Sequence, residues 1–240
     1  MKKRILYSMC YDMLEQNHIA FKTEAGLAIY CEGMPLWIMP LQGLSSTDAR
    51  LFFEEFLQNF SGELTDELIG IVAEKDIALA CVGDKKFSDK EIIAYYLEKE
   101  VFCNVSGELR AATASDSGLA LGWISDFYAE TLHAVLPQST ARKGISKASN
   151  VKLFLWWDNC PVAMGMISET GETCRMNLIY TAPNFRGRGY GRALVSALAR
   201  RAFEASKVPM LYADSANFKA VGLYNSLGFR EAGRLLELTF

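Results

Sequence analysis

The segment RGRGYGR, residues 186–192, limits the fold of this chain more than any other segment. It follows the apolar stretch 176–181 and precedes 193–203, in which Leu194 and Leu198 repeat at helical spacing. Glycines let a backbone turn sharply and approach a ligand closely. Free N–H groups at a helix N-terminus bind phosphate, and arginine guanidinium groups match phosphate oxygens. The pattern therefore predicts a strand, a phosphate-binding turn and a helix.

Other phosphate-binding loops fit this segment less well. The chain contains neither the Gly-Lys-Ser/Thr of a Walker loop nor the GxGxxG fingerprint of dinucleotide-binding folds. An RNA-binding Arg-Gly tract would be longer and would lie in a disordered region. A glycine-rich helix start with solvated arginines is the structural alternative, but the tight spacing between strand and helix favours phosphate binding.

Composition places the chain among globular proteins. Half of its 240 residues are hydrophobic and 22% are charged, which excludes disordered, collagen-like and coiled-coil classes. No apolar run approaches the ~18 residues that span a bilayer. The basic, apolar N-terminus resembles a signal peptide, but Asp12 interrupts it and no cleavage site follows. We therefore expect a first helix over residues 2–18 and a cytoplasmic location.

The cysteines and histidines give no sign of a metal site. Six cysteines include no CxxC pair, and the two histidines, His18 and His133, do not lie near two cysteines in sequence. We expect reduced, packed thiols and no metal. Cys160 and Cys174 also lack a neighbouring histidine in sequence that would activate them as nucleophiles.

Charge divides the chain into two parts. Residues 1–107 carry 10 basic and 17 acidic side chains, a net charge of −7, whereas residues 108–240 carry 15 and 11, a net charge of +4. A basic half suits a polyanionic partner such as a nucleotide cofactor, although one half with a more acidic solvated surface explains the charges equally well. With the polar stretch 104–107, the asymmetry predicts domains at 1–106 and 107–240.

The sequence patterns of the N-terminal part predict a mixed α/β domain, and we find no catalytic motif in it. The patterns predict strands at 27–31 and 36–41, a helix at 47–60, a strand at 77–82 and a helix at 88–100. From residue 36 on, this order echoes that of the C-terminal part. Two interpretations stay open: a degenerate copy of the fold of the C-terminal part, or an unrelated α/β domain that covers one side of the ligand-binding cleft of that part.

The sequence patterns of the C-terminal part predict an α+β unit with a mostly antiparallel sheet. The predicted strands are 109–113, 151–157, 161–168, 174–181, 208–213 and 229–238, and the predicted helices are 118–133, 139–149, 189–205 and 216–227.

Residues 108–240 resemble the GNAT superfamily of N-acetyltransferases. The run APNFRGRGYGRALVSALARRA is similar to the family's loop for the pyrophosphate of acyl-CoA, with Arg186, Gly189 and Gly191 at the three positions of its Arg/Gln-x-x-Gly-x-Gly/Ala motif. The segment LYADSANFKAVGLYNSLGFREAG is similar to the family's closing strand, helix and strand. The resemblance implies a GNAT-like fold and acetyl-CoA as the acyl donor, and it is much less specific for the acceptor.

The resemblance also implies roles for particular residues. The strand before the loop would splay from its neighbour and offer backbone groups to the pantetheine arm. The loop would hold the pyrophosphate largely through main-chain N–H groups, and Asn217 would lie beside the arm. The implied cofactor-binding residues are Ile179, Tyr180, Thr181, Arg186, Gly187, Arg188, Gly189, Tyr190, Gly191, Arg192 and Asn217.

The resemblance implies that Tyr224 lies near the departing thiolate, and this makes it the predicted general acid. It follows Asn217 by two turns of one predicted helix, so the two side chains share a face. A phenol with an ordinary pKa of about 10 is protonated at neutral pH and can donate a proton to the leaving thiolate. A buried core tyrosine and a helix N-cap are the structural alternatives for Tyr224 and Asn217.

The general base is less defined by the sequence. Asp214 is the predicted catalytic carboxylate, and Glu169 and Glu172 are further candidates. Asp214 could equally cap the next helix, and the two glutamates could be solvated turn residues.

The resulting hypothesis is an acetyl-CoA-dependent N-acetyltransferase, in which a primary amine attacks the thioester directly. The alternative is a catalytically silent acyl-CoA-binding sensor or regulatory module. A third hypothesis, nucleic-acid binding through the arginine-rich loop, would predict salt-dependent affinity that acetyl-CoA cannot displace. We expect a small-molecule or peptide amine as acceptor and no nucleic-acid or membrane partner, with a homodimer as one of the oligomeric states to test.

Overall fold

The computed structural model describes residues 1–15, 18–62, 68–83, 86–132 and 151–240. The helix predicted at 139–149 lies outside the described residues. No helix in the described ranges is long and apolar enough to cross a membrane.

The N-terminal segment forms two short helices, whereas the sequence predicted a single helix over 2–18. Helix α1 spans Lys2–Leu6 and helix α2 spans Ser8–Leu14. Tyr7 separates them, because its backbone leaves helical geometry at φ −107° and ψ 25°. The Tyr7 ring is fully buried, and its hydroxyl donates a hydrogen bond to Glu74 Oε1 over 2.9 Å. The residue that interrupts the helix, Tyr7, is thus also a buried core residue.

A three-stranded antiparallel meander follows. Strands β1 (Ile19–Lys22), β2 (Gly26–Tyr30) and β3 (Leu36–Pro40) pair in sequence order, and β2 and β3 confirm the strands predicted at 27–31 and 36–41. Helix α3 (Ser46–Phe60) begins where the sequence predicts a helix, with the Ser45 side chain accepting a hydrogen bond from the Asp48 N–H. The helix crosses over to strand β4 (Gly70–Ala73), which pairs in parallel with β3. The sequence did not predict β1 and β4.

Two predictions for the N-terminal part are wrong. Residues 77–82, predicted as a strand, belong to helix α4 (Lys75–Val82), and residues 88–100, predicted as a helix, contain strand β5 (Ser88–Tyr96). The part is α/β as predicted. Elements β3, α3, β4 and α4 keep the strand–helix–strand–helix order, at partly different residues, and the degenerate copy of the C-terminal fold stays a prediction.

The C-terminal elements follow the predicted order, with ends that differ by a few residues at most. The strands are β6 (Glu108–Ala111), β7 (Val151–Asp158), β8 (Cys160–Thr170), β9 (Thr173–Thr181), β10 (Val208–Asp214) and β11 (Arg230–Thr239), and the helices are α5 (Ser117–Leu132), α6 (Tyr190–Glu204) and α7 (Phe218–Ser226). Strands β6 to β9 form an antiparallel series, and β10 pairs in parallel with β9. The predicted mostly antiparallel α+β fold is confirmed.

The chain forms two compact units. One contains residues 1–95, 212–222 and 231–240, with strands in the order β1-β2-β3-β4-β11-β5. The other contains residues 96–211 and 223–230, with strands in the order β10-β9-β8-β7-β6. The division into domains at 1–106 and 107–240 stays a prediction.

In the second unit, helix α6 packs tightly on the sheet. Leu194, Val195 and Leu198 are fully buried, which explains the helical spacing of these residues in the sequence. Strand β8 places Gly165 beneath this helix, where an added Cβ would lie 2.7 Å from Leu198 Cδ1 and 2.9 Å from Ile179 Cδ1. The close packing fixes the N-terminus of α6 next to the end of β9.

Candidate active site

Strand β9 carries a bulge just before the glycine-rich loop. Met166 pairs with Asn177 and Met164 pairs with Tyr180, so β9 has one more residue than β8 between these pairs. Leu178, within the bulge, has a φ of 49°. A branched side chain in this left-handed region costs about 1–2 kcal/mol, and such strain persists only where the surrounding structure imposes it.

The pairing between β9 and β10 ends near this bulge. It covers Thr173–Met176 against Val208–Leu211 and does not extend to Ile179, Tyr180 or Thr181. In the part of the chain that the structure describes, the edge of β9 that faces away from β8 therefore has no strand partner over these three residues. This is the splay that the resemblance implies, while contact of these residues with a cofactor stays a prediction.

The glycines of the loop adopt the backbone geometry that their residue type permits. Gly187 has a φ of 78° and Gly189 a φ of 85°, both in the left-handed region. Helix α6 begins directly afterwards at Tyr190. A Cβ on Gly191 would lie 3.2 Å from Thr181 Oγ1, so the start of the helix approaches the end of β9 closely.

The main-chain donors of this loop are available to a ligand. The first hydrogen bond of α6 runs from the Ala193 N–H to the Gly189 carbonyl, over 3.0 Å. In the described parts of the chain, no backbone carbonyl or side-chain acceptor takes an N–H group of residues 187–192. Six consecutive N–H groups at the positive end of a helix dipole form an anion-binding arrangement.

Arg186 contacts protein groups, and its predicted binding of phosphate stays a prediction. Its Nε donates to the Thr181 carbonyl over 2.9 Å, and one of its terminal nitrogens lies 2.7 and 3.0 Å from the two carboxylate oxygens of Glu130. The guanidinium also lies 5.4 Å from the ring centroid of Tyr180. This arginine closes the turn between β9 and the loop.

The other two loop arginines differ from each other. Arg192 donates to the Ser226 hydroxyl over 2.6 Å and to the Ser226 carbonyl over 3.0 Å, at the end of α7. Arg188 is exposed, and its guanidinium lies 5.8 Å from the ring centroid of Phe185. Arg188 is therefore the loop arginine best placed to add charge near a bound phosphate.

Asp214 and Asn217 shape the turn before α7. Asp214 Oδ1 accepts from the Ala216 N–H over 2.8 Å, and its carbonyl accepts from the Asn217 N–H over 3.0 Å. Asn217 Oδ1 accepts from the Ala220 N–H over 3.1 Å, the geometry of an N-cap. The capping alternatives thus describe both residues, and their cofactor and catalytic roles stay predictions.

Tyr224 lies on α7 with 6% of its surface exposed. Its ring contacts that of Phe229 at a centroid distance of 5.8 Å. Burial raises the pKa of this phenol to about 12. The hydroxyl therefore stays protonated at neutral pH, as a general acid must.

The two glutamates considered as further bases lie near the β8–β9 hairpin turn. Glu169 pairs with Lys152 at 3.4 Å, and Glu172 is in the turn that contains Gly171 at φ 53°. At about 3.3 Å per residue, β9 places Glu172 roughly 30 Å from Thr181. The positions of Glu169 and Glu172 fit turn residues better than catalytic bases beside the glycine-rich loop.

The structure adds two residues that the sequence analysis missed. Glu130 on α5 accepts from Arg186 and, over 3.2 Å, from the Tyr180 hydroxyl. Asp158 at the end of β7 accepts from the Tyr190 hydroxyl over 2.6 Å. Both are far from the loop in sequence, and nothing in the local pattern predicts these contacts.

The described residues were compared with the ligand sets of metal sites and with the requirements of a thiol nucleophile. No cluster of three or more His, Cys, Asp or Glu side chains there could hold a metal ion. Cys174 is buried, and its pKa is raised to about 12, chiefly by burial, so its thiol is protonated at neutral pH. Cys160 is exposed.

Comparisons with known proteins give a family for the C-terminal part of the chain. The sequence profile of the Acetyltransferase (GNAT) family matches residues 121–229. The match identifies a GNAT acetyltransferase domain in the C-terminal half of the chain. Comparison with curated protein sequences gives no match.

Solved structures share the fold of the GNAT domain and of most or all of the chain. A GCN5-related N-acetyltransferase from Kribbella flavida matches with a TM-score of 0.69 and 14% identity, over 100% of this chain and 95% of that one. A GNAT-family acetyltransferase from Colwellia psychrerythraea matches with a TM-score of 0.59 and 14% identity, over 98% and 96%. A functionally unknown conserved protein from Staphylococcus epidermidis matches with a TM-score of 0.62 and 11% identity, over 92% and 93%. At these identities the likeness shows the fold, and the GNAT family supports acyl transfer in general.

Proposed function

We propose that this protein is an acetyl-CoA-dependent N-acetyltransferase that transfers an acetyl group to a primary amine by direct attack. The observation that carries the proposal is the set of open N–H groups at 187–192, at the start of α6 and beside the unpaired edge of β9. A diphosphate has the charge and the acceptors that such donors bind. The family of the domain supports acyl transfer as the reaction.

The unpaired edge of β9 supports the thioester arm as the second part of the ligand. Pantetheine contains two amide groups, which can add to a strand edge as another strand does. The donors at the loop and the edge at 179–181 are contiguous, because Gly191 approaches Thr181. Together they bind a ligand with a diphosphate at one end and an amide-containing arm at the other.

The transfer step needs a neutral amine and a proton donor. The amine nitrogen forms a bond to the acetyl carbonyl carbon, the C–S bond breaks, and the sulfur leaves as a thiolate that takes a proton. Tyr224 would give that proton, since burial keeps its phenol protonated. Asp214 is the proposed base for the proton that the amine loses, acting directly or through water.

One observation favours the alternative of an acyl-CoA sensor. The carboxylate of Asp214 is already used by the turn before α7, and the two glutamates considered as bases have turn positions. A protein with an intact cofactor loop and no base would bind acyl-CoA without turning it over. The two functions therefore share their binding behaviour and differ in catalysis.

Calorimetry with acetyl-CoA tests the proposal first. Saturable binding with 1:1 stoichiometry is expected, and its absence would refute both functions. Release of CoA is then followed with a thiol reagent across a panel of amines that includes polyamines, amino acids and peptide N-termini. Turnover of any amine supports the enzyme, whereas tight binding without turnover on the whole panel supports the sensor.

A further inference from the structure

Glu130 occupies the junction between helix α5 and the glycine-rich loop. Its two carboxylate oxygens receive Arg186 at 2.7 and 3.0 Å, and Oε1 also receives the Tyr180 hydroxyl at 3.2 Å. One carboxylate thus holds the last part of β9 and the first residue of the loop at the same time.

The hydrogen bonds of Arg186 and Phe185 connect the end of β9 to the start of the loop. Its Nε holds the Thr181 carbonyl, while the Phe185 N–H donates to the Ala182 carbonyl over 2.9 Å within the 3-10 turn Pro183–Phe185. The loop N–H groups begin at the next residue, Gly187. Movement of Arg186 would therefore tilt the first donors relative to β9.

We propose that Glu130 is a positioning residue for acyl-CoA binding, which holds Arg186 and Tyr180 so that the N–H groups of 187–192 converge on the diphosphate. The inference rests on the function proposed above. It reassigns Arg186 from direct phosphate contact to support of the loop, because its guanidinium is already bound by a carboxylate and a carbonyl.

The solvent exposure of the Arg186–Glu130 ion pair argues for a role in positioning the loop rather than in stabilising the fold. The side chains of Arg186 and Glu130 are 46% and 44% exposed. An ion pair this exposed adds little to global stability. Loss of Glu130 should thus leave the fold intact and change the geometry of the loop alone.

The test compares Glu130→Gln with the wild type in four measurements. The first two are the Kd for CoA, measured by calorimetry, and the Tm. The other two are KM and kcat, each measured with acetyl-CoA and with acetyl-pantetheine, which lacks the diphosphate. We expect a Kd and a KM for acetyl-CoA raised about 3–10-fold, since hydrogen bonds to charged groups are strong and only part of their energy reaches the ligand. The kcat, the Tm and the kinetics with acetyl-pantetheine should stay near wild-type values.

Two further variants complete the test. Glu54→Gln removes a carboxylate from a similarly exposed ion pair, with Arg50 at 3.0 Å, and should change none of the four measurements. Arg186→Lys keeps the positive charge but replaces the guanidinium, which contacts both Glu130 and the Thr181 carbonyl, by a single nitrogen, and it should raise the Kd for CoA about as much as Glu130→Gln does.

The outcomes distinguish the inference from the proposed function. If the wild type binds CoA and Glu130→Gln binds it within twofold as well, the positioning role is wrong and the function stands. Equal losses with acetyl-CoA and acetyl-pantetheine, together with a lower Tm, would also overturn the positioning role. A wild type that does not bind CoA removes the function itself.

Discussion

The phenol of Tyr190 donates a hydrogen bond to Oδ2 of Asp158 over 2.6 Å. Tyr190 is the first residue of helix α6, and Asp158 is the last residue of β7, so the bond ties the start of the helix to the β7–β8 hairpin. Oδ1 of the same carboxylate accepts from the Ser106 hydroxyl over 3.0 Å. The hydrogen bond to Asp158 is the largest cause that raises the pKa of Tyr190, so the phenol stays protonated and the tie persists at neutral pH.

Replacement of Tyr190 by Phe should loosen the start of α6. The variant keeps the ring but loses the donor to Asp158, and the Kd for CoA should rise about 3–10-fold. Calorimetry measures this change, and urea denaturation should show a lower midpoint. Tyr96→Phe is a matched control, since that phenol donates to Glu98 over 3.3 Å outside the loop. An unchanged Kd in Tyr190→Phe would mean that the tie does not order the loop donors.

Replacement of Gly189 by Ala should damage CoA binding more than loss of a single loop arginine. Gly189 has a φ of 85°, and an added Cβ would lie 3.2 Å from Val105 Cγ2. The left-handed backbone costs an alanine about 1–2 kcal/mol, so the loop would shift and its donors would diverge. We expect a Kd for CoA raised more than tenfold, measured by calorimetry.

The control for this substitution is Gly33→Ala. Gly33 has a similar φ of 76°, lies in the β2–β3 turn and has nothing within 4 Å of an added Cβ. It should lose stability in urea denaturation but bind CoA as the wild type does. Equal affinities of the Gly189 and Gly33 variants would show that the loop backbone is not the binding element.

Arg188 should supply charge to the diphosphate, because Arg186 and Arg192 are bound by other protein groups. Arg188→Gln should raise the Kd for CoA about 3–10-fold and reduce the salt dependence of binding, without an effect on acetyl-pantetheine. Calorimetry at two ionic strengths measures both changes. Arg230→Gln, which removes an exposed partner of Glu98 at 2.8 Å, is the control. A salt dependence equal to that of the wild type would place Arg188 outside the phosphate site.

The C-terminal elements were predictable because their patterns are unambiguous. Strand β9, the loop and α6 have apolar periods of two and of 3.6 with glycines between them, and a local pattern determines local structure there. The open N–H groups follow from the same glycines. The contacts of Arg186 with Glu130 were not predictable, since the partner lies on another element and depends on packing.

The two wrong predictions in the N-terminal part have a physical cause. The run 77–82 is continuously apolar, and such a run is ambiguous between helix and strand. Burial of Ile77, Ala78, Cys81 and Val82 repeats at helical spacing in the structure. In 88–100, the charged residues suggest a helix, but paired β-branched and aromatic residues at 92–96 are buried on both faces, as in an interior strand.

Tyr224→Phe should lower kcat without weakening acetyl-CoA binding. The variant keeps the ring contact with Phe229 and lacks the phenol hydroxyl. General acid catalysis typically contributes 10²–10⁴-fold, and water can replace part of it, so we expect kcat to fall about 10–100-fold with KM within twofold. The measurement is steady-state kinetics with the amine that the panel identifies as turned over fastest.

The pH dependence gives this role a second readout. Burial raises the pKa of Tyr224 to about 12, which extends the protonated, donating form to higher pH. The wild type should therefore show no loss of kcat from this phenol between pH 7 and 10, and a decline toward pH 12 that is absent in Tyr224→Phe. Tyr30→Phe, a buried phenol of the first unit, is the control and should keep the wild-type profile. A kcat of Tyr224→Phe within twofold of wild type would exclude the general acid role, and a decline in the wild type near pH 8 would assign the titrating group elsewhere.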